Sequence, residues 1–470
     1  MIQFLVAAPC SGSGKTTLTC ALLAALKRRG QDPCSFKSGP DYIDPMFHRA
    51  VLGVESHNLD LFFSAPETVR ALYAQAAAGH GAAVCEGAMG FYDGLGGVSD
   101  TASAWHLADT LGLPVLLVVQ PRGASLTLAA QINGLKQFRT PSHLAGILLN
   151  DCAPHLYALL APMLERETGL PVLGYLPHLP DAALESRHLG LKTAGEIADL
   201  QQKISRMADA LVVDWEKLSI LTEGAAPLVH TDRLPPAGEL PPQGAAEQRP
   251  RVPIAVARDA AFCFTYAETL EALERAGAEL YWFSPLQDSA LPEQIGGLYL
   301  PGGYPENRLE ELAGARLARE SIRSYIEAGG RTLAECGGMI YLSQFVLSDG
   351  DTDGGSAGNC VGNIGNEMVG VLPFSITNER KRRKLTLGYR RFDYNGWRLK
   401  GHEFHYTQFA VPETDGKEGG ACSLPPSIAQ VYNAKGGKVT TPVFRYKNLI
   451  ASYTHLYWGE VDVMALFGEL

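Results

Sequence analysis

A short apolar run, Gln3–Ala8, passes straight into Pro9-Cys10-Ser11-Gly12-Ser13-Gly14-Lys15-Thr16-Thr17, and a helix-forming stretch, Leu18–Arg29, follows. This arrangement leaves few folds open. An apolar run with little polar alternation reads as a strand covered on both faces, and a strand that hands over to a helix belongs to a parallel α/β sheet. The glycines let backbone N–H groups turn inward around an anion, and the helix start adds a positive dipole. Lys15 is placed to reach the β- and γ-phosphates of ATP, and the Thr16 hydroxyl to ligate Mg²⁺. Gly12, Ser13, Gly14 and Thr17 complete the cradle. The full phosphate-loop pattern has a glycine six residues before the lysine, where this chain has Pro9. An accidental Gly-Lys-Thr turn would have no reason to carry both a strand and a helix at its ends.

The same grammar of β-rich runs and helical segments continues through the chain. Expected strands are Ala82–Glu86, Val115–Gln120, Gly146–Asn150 and Val172–Leu176, then Ile254–Ala257, Leu280–Phe283, Gly297–Pro301 and Arg331–Ala334. Both sets imply parallel sheets covered by helices. Between Pro227 and Pro250 lie six prolines with little apolar periodicity, which reads as an exposed linker. The chain of 470 residues is therefore expected as an N-terminal domain over 1–226, a linker over 227–250 and a C-terminal domain over 251–470. A glycine-rich stretch, Ser348–Gly365, reads as a surface insertion. Forty Lys plus Arg against 50 Asp plus Glu give a net charge of −10, which argues against a dedicated nucleic-acid binder. No apolar run is long enough for a membrane helix, and no basic segment precedes the first strand, so a cytoplasmic enzyme is expected. Nine scattered cysteines without a CxxC pair fit reduced thiols.

A nucleotide site also needs carboxylates for its metal. Glu86 ends an expected strand and leads into Gly87-Ala88-Met89-Gly90-Phe91-Tyr92-Asp93-Gly94, at the edge where ligands bind in open α/β sheets. Phe36-Lys37-Ser38-Gly39-Pro40-Asp41-Tyr42-Ile43-Asp44-Pro45 packs a lysine and two carboxylates into one expected loop. Asn150, closing another strand, is placed to hydrogen-bond a purine edge, although strand-end Asn is also a common turn former.

In the C-terminal half, Arg331–Met339 reads as a strand, then Cys336-Gly337-Gly338, then a helix. A sharp turn of this kind lifts a nucleophile above the sheet and aims the next N–H, that of Gly337, at a developing oxyanion. The strand-end pair Gly302-Gly303 offers further oxyanion donors. A cysteine nucleophile needs a base, and His455, in Leu449-Ile450-Ala451-Ser452-Tyr453-Thr454-His455 after an apolar strand near the C-terminus, is the best candidate. His402 and His405 compete; strand alternation would split them between two faces, which favours an active-site rim or a domain interface over a metal site.

Taken in order, GSGKTT, FKSGPDYIDPMFH, HNLD, EGAMGFYDG, RHLGL, AFCFTY, FSPL, LPGGYPE, AECGGMIYL, LTLGYR, GHEFHY and ASYTHL run along nearly the whole chain. The sequence resembles the cobyrinic acid a,c-diamide synthases, the glutamine-dependent amidotransferases of cobalamin biosynthesis. The resemblance implies an N-terminal, dethiobiotin-synthetase-like domain that uses ATP to activate a carboxylate as an acyl phosphate. It also implies a C-terminal class I glutamine amidotransferase-like domain that releases ammonia from glutamine. Carried over by motif, Cys336 is the nucleophile and His455 the catalytic histidine, with Lys15, Thr16, Asp41 and Glu86 at the phosphates and Mg²⁺. Lys37, Asp41, Tyr42 and Asp44 are expected near the γ-phosphate and the acceptor carboxylate, and Gly87, Gly90, Arg187 and His188 on the acceptor side. The partners implied are a corrinoid tetrapyrrole, glutamine and ATP, with a homodimer left open.

Three positions depart from the family pattern. Tyr457 stands where many class I amidotransferases carry an acid two residues after the histidine. Glu185-Ser186-Arg187-His188 replaces Pro-Glu-Arg-His, and Gln120 stands where relatives commonly show Asp. The basic run Arg380-Lys381-Arg382-Arg383-Lys384 reads as a solvated loop, or as a rim that attracts an anionic macrocycle. Hydrogenobyrinate and nickel-sirohydrochlorin are rival acceptors of the same chemistry. A partitioning-type ATPase is the rival from another class; those carry an extra lysine near the loop start, where this chain has Cys10, and lack a Cys-Gly-Gly half.

Overall fold

The computed structural model describes residues 1–182, 200–223, 251–349, 365–410, 424–459 and 461. Arg187, His188, the linker over 227–250, residues 350–364 of the glycine-rich stretch and residues 411–423 lie outside the described residues. The chain forms two compact units, Met1–Pro235 and Pro236–Leu470.

The N-terminal unit is built on strands β1 (Ile2–Ala7), β2 (Pro33–Ser38), β3 (Ser56–Leu59), β4 (Ala82–Glu86), β5 (Val115–Val119), β6 (Leu144–Asn150), β7 (Val172–Leu176) and β8 (Val212–Val213). They pair in the order β3-β2-β4-β1-β5-β6-β7-β8, all parallel except β8. Alternation along β1 sends Leu5 and Ala7 to one face and Phe4 and Val6 to the other. Leu5 meets Phe36, Cys85 and Leu117 in one core layer, while Phe4 meets Val84, Leu116 and Leu148 in the second. Because both faces are covered, a central strand such as β5, Val-Leu-Leu-Val-Val, reads as a continuous apolar run. Burying each such Leu, Val or Phe contributes roughly 1.5–3 kcal/mol. The helix Lys15–Arg28 lies in the second layer against the helix Leu200–Ala210, its Leu18, Leu22 and Leu26 fully buried. β1 sits between β4 and β5, so the loops after β1 and β4 emerge side by side at the C-terminal edge of the sheet. That edge is where an open α/β sheet binds its ligand.

The C-terminal unit has a second parallel sheet from β9 (Val252–Ala257), β10 (Ala278–Phe283), β11 (Gly297–Leu300), β12 (Thr332–Glu335) and β21 (Leu449–Ser452), with β20 (Val443–Tyr446) antiparallel at one edge. Two small sheets accompany it. One is mixed and joins β13 (Phe345–Leu347), β14 (Asn366–Glu367), β15 (Ile376–Thr377) and β18 (Gln408–Phe409), with β13 and β15 parallel. The other is antiparallel and joins β16 (Thr386–Tyr394), β17 (Trp397–His405), β19 (Tyr432–Asn433) and β22 (His455–Leu456). The β16–β17 hairpin closes on Asn395-Gly396, with φ of 47° and 81°, the left-handed pair that a two-residue hairpin turn requires. This hairpin carries Glu403, His402 and His405 to the elbow of Cys336. No helix among the described residues is long and apolar enough to cross a membrane.

Candidate functional site

The loop between β1 and the helix Lys15–Arg28 needs two left-handed glycines, Gly12 at φ 78° and Gly14 at φ 87°. A Cβ on Gly14 would stand 1.9 Å from Asn150 Nδ2. Asn150, buried at the end of β6, donates instead to the Ser13 carbonyl at 3.2 Å. It therefore pins the loop to the sheet. Lys15 Nζ donates to the Cys10 and Met89 carbonyls, bridging the loops after β1 and β4. Met89 is a non-glycine residue at φ 53°, a conformation kept where the surrounding loop demands it. Burial first, then the neighbouring Lys37, holds the Lys15 ammonium below its ordinary value.

Lys37 stands opposite Glu86 in the β2–β4 register. Its ammonium lies 2.6 Å from Asp44 Oδ2 and 2.8 Å from Glu86 Oε1. The Thr16 hydroxyl donates to Glu86 Oε1 at 2.6 Å and reaches Asp44 Oδ2 at 3.4 Å. Burial alone would lower the Lys37 ammonium, but Asp44, Glu86 and Asp41 outweigh it and hold it above its ordinary value. Burial pushes the Glu86 carboxyl up; Lys37 pulls it back and Asp44 adds to the rise. Glu86 is fully buried, and its Oε2 has no hydrogen-bond partner among the described residues.

The segment expected as one loop is divided by the structure. Lys37 belongs to a buried strand, and Ile43–Phe47 is a short helix. Asp41 Oδ1 caps that helix by accepting from the Ile43 and Asp44 N–H groups, so Asp44 is the carboxylate that reaches Thr16. Asn58 holds the turn by donating to the Gly39 and Asp41 carbonyls at 2.9 and 2.8 Å. Tyr42 is buried at the start of the helix, and Thr17 is half-buried. Gly87 and Gly90 are required by close packing: a Cβ would stand 2.7 Å from Ala104 Cβ in the first case and 2.4 Å from Asp93 Oδ2 in the second.

In the C-terminal unit, β12 ends in Glu335 and the chain turns sharply at Cys336, whose φ of 43° and ψ of −100° are strained for a residue with a side chain. The helix Gly337–Leu342 starts at once. A Cβ on Gly337 would stand 2.9 Å from the Gly303 nitrogen, and one on Gly302 would stand 2.0 Å from His455 Cε1. The elbow, the Gly302-Gly303 turn and the histidine are thus packed into van der Waals contact through bare backbone. The Cys336 N–H donates to the Ser452 carbonyl at 2.7 Å, three residues before the histidine.

Cys336 and His455 are both buried, with 3% and 1% of their surface exposed. Burial, then Glu306 and Glu403, pushes the thiol well above its ordinary value. Burial, then His402 and His405, lowers His455 to about 3. Both shifts favour the uncharged form, thiol and imidazole respectively. His402 lies opposite His455 in the β17–β22 register. His405 lies near Glu403 on β17, with Nε2 at 2.9 Å from its Oε1. Glu403 also binds Arg390 and accepts from the Thr441 hydroxyl at 2.8 Å. Among the described residues no group of three or more His, Cys, Asp or Glu is arranged to hold a metal. The run Arg380–Lys384 is exposed and partly paired, Arg380 with Asp349 and Arg382 with Glu379.

Glu335, Glu306 and Arg390 were not anticipated from the sequence as site residues. The first two sit inside motifs, AECGG and PGGYPE, whose glycines and cysteine drew the attention. A carboxylate within an otherwise apolar strand was the available signal for Glu335.

Residues 4–191 match the CobQ/CobB/MinD/ParA nucleotide binding domain, and residues 253–463 match the CobB/CobQ-like glutamine amidotransferase domain. A hydrogenobyrinate a,c-diamide synthase of Brucella abortus is 40% identical over 97% of this chain and 98% of its own length. Cobyrinate a,c-diamide synthases of a Synechococcus species and of Priestia megaterium are 35% and 34% identical, over 97% and 98% of this chain and 95% of each relative. With two matching domains and such relatives end to end, the chain belongs to the family of cobyrinate and hydrogenobyrinate a,c-diamide synthases.

Proposed function

We propose that the chain is an ATP- and glutamine-dependent ligase that converts the a and c carboxylates of a corrin ring into primary amides. The observation that carries this reading is the presence, in one chain, of a phosphate loop with a buried Lys–carboxylate cluster and of a strained Cys-Gly-Gly elbow against a histidine. Neither half completes an amidation alone. In the first, the acceptor carboxylate oxygen attacks the γ-phosphorus of ATP, ADP leaves, and an acyl phosphate forms. Lys15 and the inward N–H groups of Gly12–Thr17 neutralise charge on the phosphates as it moves to the leaving group. Lys37 is the second cation at this point, held in place by Glu86 and Asp44.

In the second half, the Cys336 sulfur attacks the glutamine carboxamide while His455 takes the thiol proton and returns it to the leaving nitrogen. Ammonia departs, and water cleaves the thioester to glutamate. The N–H groups of Gly337 and Gly303 would serve the oxyanion, a role supported by the close approach of the two turns, where a Cβ on Gly337 would stand 2.9 Å from the Gly303 nitrogen. Ammonia then displaces phosphate from the acyl phosphate, and the cycle repeats at the second carboxylate.

Magnesium fits the first site. The donors are hard oxygens, and Glu86 carries a buried carboxylate oxygen lacking a described partner. Thr16, Glu86 and Asp44 would hold the ion, in the manner of Mg²⁺ bound by one or two carboxylates together with substrate phosphates. When bound it would draw charge from the transferring phosphoryl group. Cobyrinate and hydrogenobyrinate are both consistent with the relatives. The test is to incubate the protein with ATP, Mg²⁺, glutamine and each of cobyrinate, hydrogenobyrinate and nickel-sirohydrochlorin. Mass spectrometry should show one corrin gaining two amides, a loss of 1 Da per amide formed from an acid, about 2 Da in all. ATP hydrolysis and glutaminase turnover without any amidated macrocycle would overturn the reading.

A further inference from the structure

We propose that Glu335 is the positioning residue of the Cys336–His455 pair, a carboxylate on the nucleophile's own strand that fixes the main chain immediately after the histidine. Glu335 is the last residue of β12, directly before the elbow, and only 2% of it is exposed. Its Oε1 accepts from the Leu456 N–H at 3.1 Å, and its Oε2 accepts from the Tyr299 hydroxyl of β11 at 2.9 Å.

The chain path explains what this bond does. β21 pairs with β12 as far as Ser452, opposite Glu335. After Ser452 the chain leaves that sheet, and His455 and Leu456 pair with β17 instead. His455 therefore rides on an excursion between two sheets, with no parallel ladder of its own to the nucleophile strand. Two tethers from adjacent residues close the excursion. The Cys336 N–H holds the Ser452 carbonyl before the histidine, and the Glu335 carboxylate holds the Leu456 N–H after it. Residues 335 and 336 thus set the approach of imidazole to thiol from the strand that carries the thiol.

Packing alone does not account for an acid here. β12 reads Thr-Leu-Ala-Glu, and a buried carboxyl is more costly to the fold than an apolar side chain of like size. Burial drives Glu335 up to about 8, with Tyr299, the Leu456 N–H and Trp458 pulling the other way. The position two residues after the histidine is Tyr457, which brings no carboxylate. Glu403 is engaged by Arg390, His405 and Thr441.

This inference rests on Cys336 and His455 being the glutamine-cleaving pair, and Cys336→Ser is measured alongside to separate the two. In the full chain, Glu335→Leu removes the acceptor while filling the space, and Glu335→Gln retains a carbonyl oxygen for Leu456. Steady-state kinetics with glutamine should show kcat falling roughly 100-fold in Glu335→Leu, with KM within about threefold, because a displacement near 1 Å can carry such a loss. Glu335→Gln should stay within about fivefold of the parent, and ammonia-dependent amidation should be unchanged in both. Carbamidomethylation of Cys336 by iodoacetamide, followed by mass spectrometry, should slow in Glu335→Leu and recover in Glu335→Gln. Parent-like kcat in Glu335→Leu, or equal loss in Leu and Gln variants, overturns the proposal. Should Glu335→Leu not fold, Tyr299→Phe decides: a kcat lowered for glutamine alone supports the tether, and parent kinetics overturn it. Glutamine use surviving in Cys336→Ser would instead overturn the underlying assignment.

Discussion

Replacing Gly302 by alanine adds one carbon at the closest point of the thiol site. That carbon would stand 2.0 Å from His455 Cε1, 2.6 Å from Nδ1 and 3.2 Å from Nε2. Non-bonded carbons settle near 3.5 Å, so the ring must retreat by roughly 1.5 Å. Its freedom to do so is small: His455 is buried, faces the Phe264 ring at 6.2 Å between centroids, and has His402 across the β17–β22 pair. Gly302 is not among the positive-φ residues, so alanine adds no backbone strain and the effect is steric. A displacement of about 1 Å at a catalytic group can cost on the order of 100-fold in rate, or about 2.7 kcal/mol of barrier. Glutamine-dependent kcat should therefore fall at least that far, while amidation with added ammonium salt continues at the parent rate. Gly314→Ala is the control, since a Cβ there meets nothing within 4 Å. Glutamate release and amide formation measured in parallel read both outcomes. Parent-like glutaminase activity in Gly302→Ala would refute the placement of His455 against the oxyanion turn.

Three further outcomes follow from the same structure. Gly14→Ala puts a side chain at φ 87° and a Cβ 1.9 Å from Asn150 Nδ2, so calorimetry should show ATP binding weakened at least roughly tenfold. Lys15→Met should stop amidation from glutamine and ammonia alike yet leave glutamine hydrolysis measurable, whereas equal loss of both would place the phosphate site elsewhere. The pH prediction rests on His402 and His455, both lowered to about 3 in the fold from an ordinary 6.5, burial being the first cause. Below 6.5 the unfolded chain takes up protons that these buried rings refuse, so stability falls as the pH drops from about 6.5 toward 3. The slope is at most about 1.4 kcal/mol per pH unit for each ring. Denaturant unfolding of His402→Phe over that window should show a shallower slope, and an unchanged slope would contradict the assignment.

Fold class was largely legible because it rests on local rules. Continuous apolar runs such as Val115–Val119 announce doubly covered strands, and Gly12, Gly14 and Lys15 between a strand and a helix point to an anion loop. The errors came where a pattern was short or non-local. β2 was missed because Pro33-Cys34-Ser35-Phe36-Lys37-Ser38 is half polar; its Lys37 is tolerated in a buried strand because Asp44 and, from the adjacent strand in register, Glu86 pair with it. The two small sheets were not anticipated, although Tyr394-Asn395-Gly396-Trp397 carries a hairpin turn signal of the plainest kind. The opposite-face placement of His402 and His405 did follow from alternation. What no local rule supplies is the set of contacts that joins Glu335 to Leu456, since the partners are 121 positions apart and belong to different sheets.

The central claim is that nitrogen release and carboxylate activation belong to separate halves of the chain, with Cys336 serving only the first. The direct measurement is amide formation by Cys336→Ser on a corrin acceptor, with ATP and Mg²⁺, supplied first with glutamine and then with ammonium chloride. Abolished amidation from glutamine with near-parent amidation from ammonia is the predicted result. Retained glutamine use, or loss with both nitrogen sources in a folded protein, would contradict it.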